Sequence, residues 1–554
     1  MAAVLYVAAQ VLGPLSYITS LITISLIYLV AVLGLNVPSG MLGQLSLGHG
    51  AVFAIGAYVA AIGTTTYGWP LMYTLPLATA AGLVVGAVLG MPASRLNVLG
   101  LGMISLGLTL VVTDLATAVQ FTGGPSGLVV PAATLFPSGA NLGPNDLYIV
   151  VLVLAVVAYI FHWYLRTSHL GRIFLAIKSQ EVGTLALGIN PYWYKVVGLA
   201  IGSALGALAG ALYAYVQQVV APDAFGVSLS ILFLLMVILG GAGTRVGPVF
   251  GTAIISVVPI FLNQYPSVNV YIYGALLILL ARLRPRGLYS RSSAPVSRRL
   301  PRPGRVDLAP VIENTPALPV IRVESVSKAF GGNKALEEVT LPVLRSEVLA
   351  IVGPNGSGKT TLLNVVSGYV TPDTGRVEID GRLAGRTQPY TVARLGIGRT
   401  FQVPKVFANL SVDEHLDLAR RHGRPDGHME ALGLQFLTDV GLSRSVYSKE
   451  VRTLGHGHLR FLEIAMAILR APDVLLLDEP AAGLSLTEID HLIELLKQLA
   501  TEGVAVVVVG HHLDIVRRAA RRVAVMHVGK LLWEGVPAEL ENSELVRDAY
   551  LGVR

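Results

Sequence analysis

An N-terminal all-α polytopic membrane domain joined to a C-terminal α/β domain of the P-loop NTPase type is the fold class the sequence predicts, on three observations. Residues 1–94 hold no Asp, Glu, Lys or Arg, and between Arg95 and Leu165 only Asp114 and Asp146 carry charge. From about Arg282 onward charges become frequent and the apolar runs shrink to strand length. The stretch LAIVGPNGSGKTTLLNVVSG, 349–368, sets an apolar strand before a glycine-rich turn and a helical pattern after it. The overall composition, 53% hydrophobic and 14% charged, averages two unlike halves.

In the first half, apolar runs fall near 14–35, 50–66, 70–92, 97–120, 147–165, 193–218, 228–242, 247–264 and 270–283. Most approach the roughly 20 residues a spanning helix needs. The start, MAAVLYVAAQ, lacks a basic n-region and reads as membrane-resident rather than as a cleaved signal. Arg166, Arg172, Lys178 and Lys195 bracket one loop, and a basic cluster at 282–305 follows the last run. Both belong in the cytoplasm, the cluster against anionic lipid, whereas the Gly/Pro/Ser-rich loop near 121–146 has no basic residue and belongs outside. The net charge of +7 is no nucleic-acid footprint, because the basic residues do not interleave with aromatics. Cysteine is absent, which excludes disulfides and thiolate metal sites.

Residues 33–50, LGLNVPSGMLGQLSLGHG, are apolar but broken by Pro38 and five glycines. A break exposed to lipid would strand backbone amides, so this segment is expected to be buried in protein or to line a cavity. Two readings stand: close glycine-mediated helix packing, or a solute path using Asn36, Ser46 and His49. Asp114 is the lone acid inside a span, too little for a proton pathway, so energy must come from the second half.

There the phosphate-binding turn comprises Gly353, Asn355, Gly356, Ser357, Gly358, Lys359, Thr360 and Thr361. Its glycines let backbone amides wrap the phosphates of ATP, Lys359 reaches the β/γ-phosphates, and Thr360 holds Mg²⁺. DVLLLDEP, 473–480, is a second buried strand ending in two acids. Asp478 is expected to hold the metal through water, and Glu479 to polarise the attacking water. His456 and His458 flank a glycine in LGHGH, and His511 and His512 end VVVVGHH. A zinc site is the competing reading of these four histidines, without cysteine or a paired carboxylate to complete it.

The order of P-loop, RTFQ, LGHGH, DEP acids and VVVVGHHLDIV resembles the ATP-binding cassette of ABC transporters over 319–554. That resemblance implies adenine stacking at Phe330, a γ-phosphate-sensing and metal-contacting Gln402, and a switch histidine at His511. It also places the signature at LGHGH, where Leu454, Gly455 and Gly457 would clamp the ATP held by an opposite cassette. Gly455 stands where the family has a phosphate-binding serine. His456, His458 and His512 then read as local substitutions. FGGNKALEEV, GRTFQVPKVFANLSVDEHL and the ending DAYLGVR are similar to cassettes of branched-chain amino acid (Liv-type) importers. LGLNVPSGMLGQLSLGHGAVFAIGAYVAA, FTGGPSGL, MVILGGAGTRVGPVFGTA and RPRGL resemble their permease subunit.

The resemblance thus implies a fused chain: permease 1–286, basic Pro/Ser-rich linker 287–318, cassette 319–554. EVGTLALGIN, with Glu181 and Gly188, looks like a degenerate coupling loop, the alternative being an ordinary surface helix. Two cassettes must meet to complete each ATP site. The implied partners are therefore a second permease and a second cassette on a different chain, a homodimer ranking second, with an extracytoplasmic binding protein delivering the solute. The implied place is a bacterial or archaeal cytoplasmic membrane, the ATPase domain facing the cytoplasm. Urea, short amides or another small carboxylate are the alternative solutes, a non-import ABC protein is the remaining alternative, and the chain itself says little about the solute.

Overall fold

A computed structural model describes residues 17–261 apart from Ser138, a few positions between 274 and 289, and 319–540. Most of the apolar run at 270–283, the basic stretch 290–318 and the last residues, 541–554, lie outside the described residues. The chain divides into two compact units: 1–178 with 191–294, and 295–554 together with the short segment Ser179–Asn190.

In the first unit the helices are α1 (Tyr17–Leu35), α2 (His49–Tyr67), α3 (Leu71–Ala93), α4 (Val98–Ala118), α5 (Pro144–Thr167) and α6 (His169–Ser179). After α7 (Glu181–Ala186), which belongs to the second unit, come α8 (Pro191–Gln217), α9 (Val227–Gly240) and α10 (Gly247–Phe261). Seven described helices are long and apolar enough to cross a membrane. Between α4 and α5 a short strand, β1 (Leu128–Val129), pairs antiparallel with β2 (Val219–Val220) after α8, tying two loops together. The packing centre is α8, whose small residues admit close neighbours. A Cβ on Gly34 of α1 would lie 2.6 Å from the Gly202 carbonyl oxygen, and one on Gly56 of α2 would lie 1.9 Å from that of Ala207. Lipid chains are as apolar as leucine, so helices in a membrane associate through such close backbone contact. Helices α3 and α4 leave most of their apolar surface exposed, which suits contact with lipid.

The break after α1 is resolved into a π-helix at Asn36–Met41 followed by irregular chain up to α2. Asn36, Val37, Pro38, Gly40 and Met41 are buried, as the sequence requires of a broken span.

In the second unit, β3 (Pro319–Phe330), β4 (Asn333–Leu344), β6 (Thr374–Ile379) and β7 (Arg382–Leu383) form an antiparallel sheet in the order β4-β3-β6-β7. A second sheet runs β12-β11-β5-β10-β9-β8, with β5 (Val348–Val352), β8 (Ile397–Arg399), β9 (Val474–Asp478), β10 (Ala505–Val509), β11 (Arg522–His527) and β12 (Lys530–Gly535). Every residue of β5, β9 and β10 is buried, so these strands read as unbroken apolar runs, as parallel strands covered on both faces do. The helices are α11 (Lys359–Val366), α12 (Pro389–Arg394), α13 (Val412–His422), α14 (Gly427–Asp439), α15 (His456–Ile468), α16 (Leu486–Thr501) and α17 (Leu513–Ala519).

Candidate nucleotide and coupling sites

Strand register brings the motifs together. Val509 of β10 stands opposite Asp478 of β9 on one side and Ile351 of β5 on the other. The phosphate-binding turn, the acid pair and the histidine pair therefore leave the sheet side by side at its carboxyl ends, the usual ligand edge of open α/β sheets.

The turn depends on glycine. Gly358 sits at φ +101°, and a Cβ there would lie 2.4 Å from the Ala335 carbonyl oxygen. Lys359 donates to the carbonyl oxygens of Gly353 and Pro354, both at 2.8 Å, and its ammonium is pushed down by burial. These are weak partners for a cation, and phosphate oxygens are better ones. Thr360, Asn355 and Gly356 are exposed and Ser357 is buried. Phe330, at the end of β3, is half-exposed with the Lys328 ammonium 5.6 Å from its ring centre. An open aromatic face of this kind can stack a base.

Glu479 has a positive φ of 47° and donates its amide to the Val509 carbonyl at 2.7 Å. Left-handed backbone at a non-glycine residue is costly and gathers at functional sites. Gln402 Nε2 donates to Glu479 Oε2 at 3.4 Å, and His511 Nδ1 lies 3.9 Å from Glu479 Oε1. The side chains of His511 and His512 stack with ring centres 4.8 Å apart. Asp478 Oδ1 is buried without a hydrogen-bond partner, and burial first, then Glu479 among the charges, raises its carboxyl. A buried carboxylate oxygen left unsatisfied is a group that a divalent cation would satisfy, so the residues present fit Mg²⁺. Among the described residues no three His, Asp or Glu side chains gather as a metal-binding set.

LGHGH lies at the start of α15, with Gly455 as its N-cap at φ −67° and ψ 160°. The first backbone amides of the helix are unsatisfied there, which makes it an anion-binding end. A Cβ on Gly457 would meet Glu488 Oε1 at 3.0 Å, whereas one on Gly455 would meet nothing nearer than His458 Nδ1 at 3.9 Å.

One turn further, α15 grips the loop that carries Gln402. Arg460 is fully buried and donates to the carbonyl oxygens of Phe401 and Gln402. Glu463 accepts from the Lys405 amide at 2.7 Å and the Phe401 amide at 3.4 Å, and burial pushes its carboxyl up to about 7. On that same loop rests α7. A Cβ on Gly183 would lie 2.5 Å from the Lys405 carbonyl oxygen. Tyr369 donates to the Val182 carbonyl at 3.0 Å, Arg470 to that of Ala186 at 2.8 Å and Arg394 to that of Gly188 at 2.8 Å. Gly188 is buried at φ +77°, and Glu181 is exposed. Gly183, Tyr369, Arg394, Arg470, Arg460 and Glu463 escape a sequence reading, since their partners are scattered along the chain.

In the first unit, Asn36 spends its whole amide on protein. Nδ2 lies 2.9 Å from His162 Nε2 and 3.2 Å from the Thr244 carbonyl oxygen, and Oδ1 accepts from the Gly243 amide at 2.8 Å. His49 Nε2 lies 2.8 Å from the Ala31 carbonyl oxygen. Ser46 and His49 border a small cleft with Pro38, Leu101, Ser105 and Ser203, with room for about one water molecule.

Residues 17–281 match the branched-chain amino acid transport system permease component, and residues 336–482 match the ABC transporter family. A probable branched-chain amino acid transport ATP-binding protein of Archaeoglobus fulgidus is 31% identical over 42% of this chain and 96% of its own length. The high-affinity branched-chain amino acid transport ATP-binding protein BraF of Pseudomonas aeruginosa is 32% identical over 42% of this chain and 98% of its own. A ribose import ATP-binding protein of Rubrobacter xylanophilus is 34% identical over 42% of this chain, but over only 45% of its own length. A solved nucleotide-free ATP-binding cassette from an ABC transporter aligns with 43% of this chain at 27% identity and a TM-score of 0.38. This is a multi-pass membrane protein with a nucleotide-binding ATPase domain on the cytoplasmic side, working as an ABC-type importer. The chain belongs to the branched-chain amino acid (Liv-type) ABC importers, with permease and ATP-binding cassette fused in one polypeptide.

Proposed function

We propose that the chain supplies one permease half and one cassette of an importer that takes up branched-chain, hydrophobic amino acids. The permease half is 1–286, the connecting stretch 287–318 and the cassette 319–554. The two full-length cassette relatives carry that solute in their names, and the permease match carries it too. The ribose relatives support it less, because less than half of each corresponds to this chain.

The observation that carries the mechanism is the position of the Gln402 loop. At one end it reaches Glu479, and at the other it bears α7 through Lys405. Lys359 and the amides of Gly356, Ser357, Gly358 and Thr361 hold the phosphates of ATP, with Phe330 under the base. Thr360, Gln402 and Asp478 would hold Mg²⁺, which neutralises charge on the β- and γ-phosphates when bound. Glu479 orients and deprotonates the attacking water, and His511 contacts the γ-phosphate. Leu454, Gly455 and Gly457 face the ATP of a partner cassette at the α15 terminus. Glu181 to Gly188 then relays closure to the permease, where Ser46 and His49 border the solute path and Asn36 holds its wall.

A second permease and cassette on a different chain and a solute-binding protein complete the assembly. The test is uptake into membrane vesicles of the complex purified with its native partners. Labelled leucine should enter with ATP and fail to enter with Lys359→Ala. Preferential uptake of urea, a short amide or ribose would overturn the solute. A complex containing only copies of this chain would overturn the two-chain assembly.

A further inference from the structure

Two segments far apart in sequence meet face to face through glycines in the first unit. One is the π-helix Asn36–Met41; the other is the loop 241–246 between α9 and α10. A Cβ on Gly40 would lie 2.5 Å from the Gly243 amide nitrogen, and one on Gly243, at φ +80°, would lie 2.5 Å from the Gly40 carbonyl oxygen. No side chain fits between them. Two cations close the seam from the basic end of the helices. Lys178 donates to the Gly40 carbonyl at 2.6 Å, and Arg166 to the Gly243 carbonyl at 3.1 Å. The stem of Lys178 also covers Gly43, where a Cβ would meet its Cγ at 3.0 Å.

The seam is not fully satisfied. Ser39 Oγ, Gln44 Oε1 and His162 Nδ1 are buried there without hydrogen-bond partners. Each has lost hydration without return, which favours any rearrangement that rehydrates it. The closed seam is thus held by a few directed bonds against a standing polar cost. Lys178 is also the residue immediately before Ser179–Asn190, the segment that packs on the Gln402 loop.

We propose that Lys178 is the tether by which the coupling segment holds the broken span closed at its cytoplasmic end. Displacement of Ser179–Asn190 draws the ammonium off the Gly40 carbonyl, and the π-helix then separates from the 241–246 loop. Lys178 is a positioning residue: it touches neither ATP nor solute. The inference rests on reading 179–190 as the coupling segment.

The test uses the absence of cysteine in the chain. Ser39→Cys places a single thiol at the seam, in place of a hydroxyl that has no partner to lose. Its rate of reaction with a membrane-impermeant thiol reagent, added from the cytoplasmic side of vesicles carrying the full chain, reports opening. Lys178→Ala and Lys178→Met should each speed labelling roughly ten- to hundredfold, the shift expected on losing one charge-assisted hydrogen bond. Lys178→Arg, which keeps a donor cation, should label as slowly as the parent. Slow labelling with Ala would overturn the tether. Slow labelling with Met would also overturn it, by assigning the effect to the stem. Fast labelling with Arg would overturn it as well. The assay needs no solute and no hydrolysis, so a failure of amino-acid uptake would refute the proposed function and leave this inference standing.

Discussion

Replacing Gly183 by alanine should uncouple hydrolysis from transport, and the structure sets the size of the effect. The added methyl would lie 2.5 Å from the Lys405 carbonyl oxygen, 3.2 Å from Phe407 Cε1 and 3.3 Å from Lys405 Cβ. The nearest atom is backbone, and that backbone is pinned. The Lys405 amide is bonded to Glu463 at 2.7 Å and the Phe407 amide to His415 at 2.8 Å. The loop has little room to yield, so α7 must lift. Overpacking of one methyl costs about 1–3 kcal/mol, which is roughly a 5- to 150-fold loss of the docked population. Alanine is the better helix former by about 1 kcal/mol, so helix propensity cannot account for a loss. ATP-driven uptake and ATP hydrolysis would be measured on the same vesicles. Uptake should fall by that factor while basal hydrolysis stays within about twofold, since the change touches no group facing ATP. Val182→Ala, on the exposed side of α7, should do neither. Uptake by Gly183→Ala equal to that of the parent would refute the reasoning, because the segment would then have no contact to lose.

Three further outcomes are expected. Glu479→Gln should keep ATP binding while hydrolysis drops by about 10²–10⁴, and Lys359→Ala should lose ATP binding itself; nucleotide affinity and turnover measured on both variants separate the two roles. Gly455→Ser should lower the ATP concentration that closes the cassettes several-fold, since the site has space, its φ and ψ suit any residue, and a serine there caps the helix for about 1 kcal/mol. Burial moves the Glu463 carboxyl from 4.5 to about 7. Between those pH values the folded cassette holds a proton that the unfolded chain releases. Its stabilising share is therefore fully present below about pH 4.5 and is lost as pH rises through 7, by roughly 3 kcal/mol. Glu463→Gln should remove that slope from the difference in Tm against pH, and parallel curves would contradict it.

What could be read from the residues alone follows the range of the chemistry. Phosphate binding needs a strand, a glycine turn and a helix in immediate succession, so Gly353 to Thr361 declare themselves within ten residues. Asp478 and Glu479 do so because a fully buried strand has no other reason to end in two acids. The break at 33–50 was legible as buried for an equally local reason, the cost of unpaired amides in lipid. The π-helix itself was not, since hydropathy carries no hydrogen-bond register. Nor could Asn36 be assigned: its partners His162 and Gly243 are 126 and 207 positions away. The docking of α7 was hidden in the same way, with Arg394 and Arg470 reaching back 206 and 284 positions.

The hidden contacts share a chemistry that bears on mechanism. At α7 and at the seam, cationic side chains grip backbone carbonyls: Arg470 on Ala186, Arg394 on Gly188, Lys178 on Gly40, Arg166 on Gly243. A carbonyl holds a cation less tightly than a carboxylate does, because only one partner is ionised. Such a bond fixes direction yet breaks at moderate cost. Carboxylate pairs buried at the same places would cost several kcal/mol to separate, a large fraction of what a domain's folding supplies. Elements that must disengage and re-engage in each turnover are better served by the weaker grip. The buried ion pair Arg460–Glu463 instead lies inside α15 and braces the loop from below. The rigid pair is spent on the lever, and the carbonyl contacts on the joints.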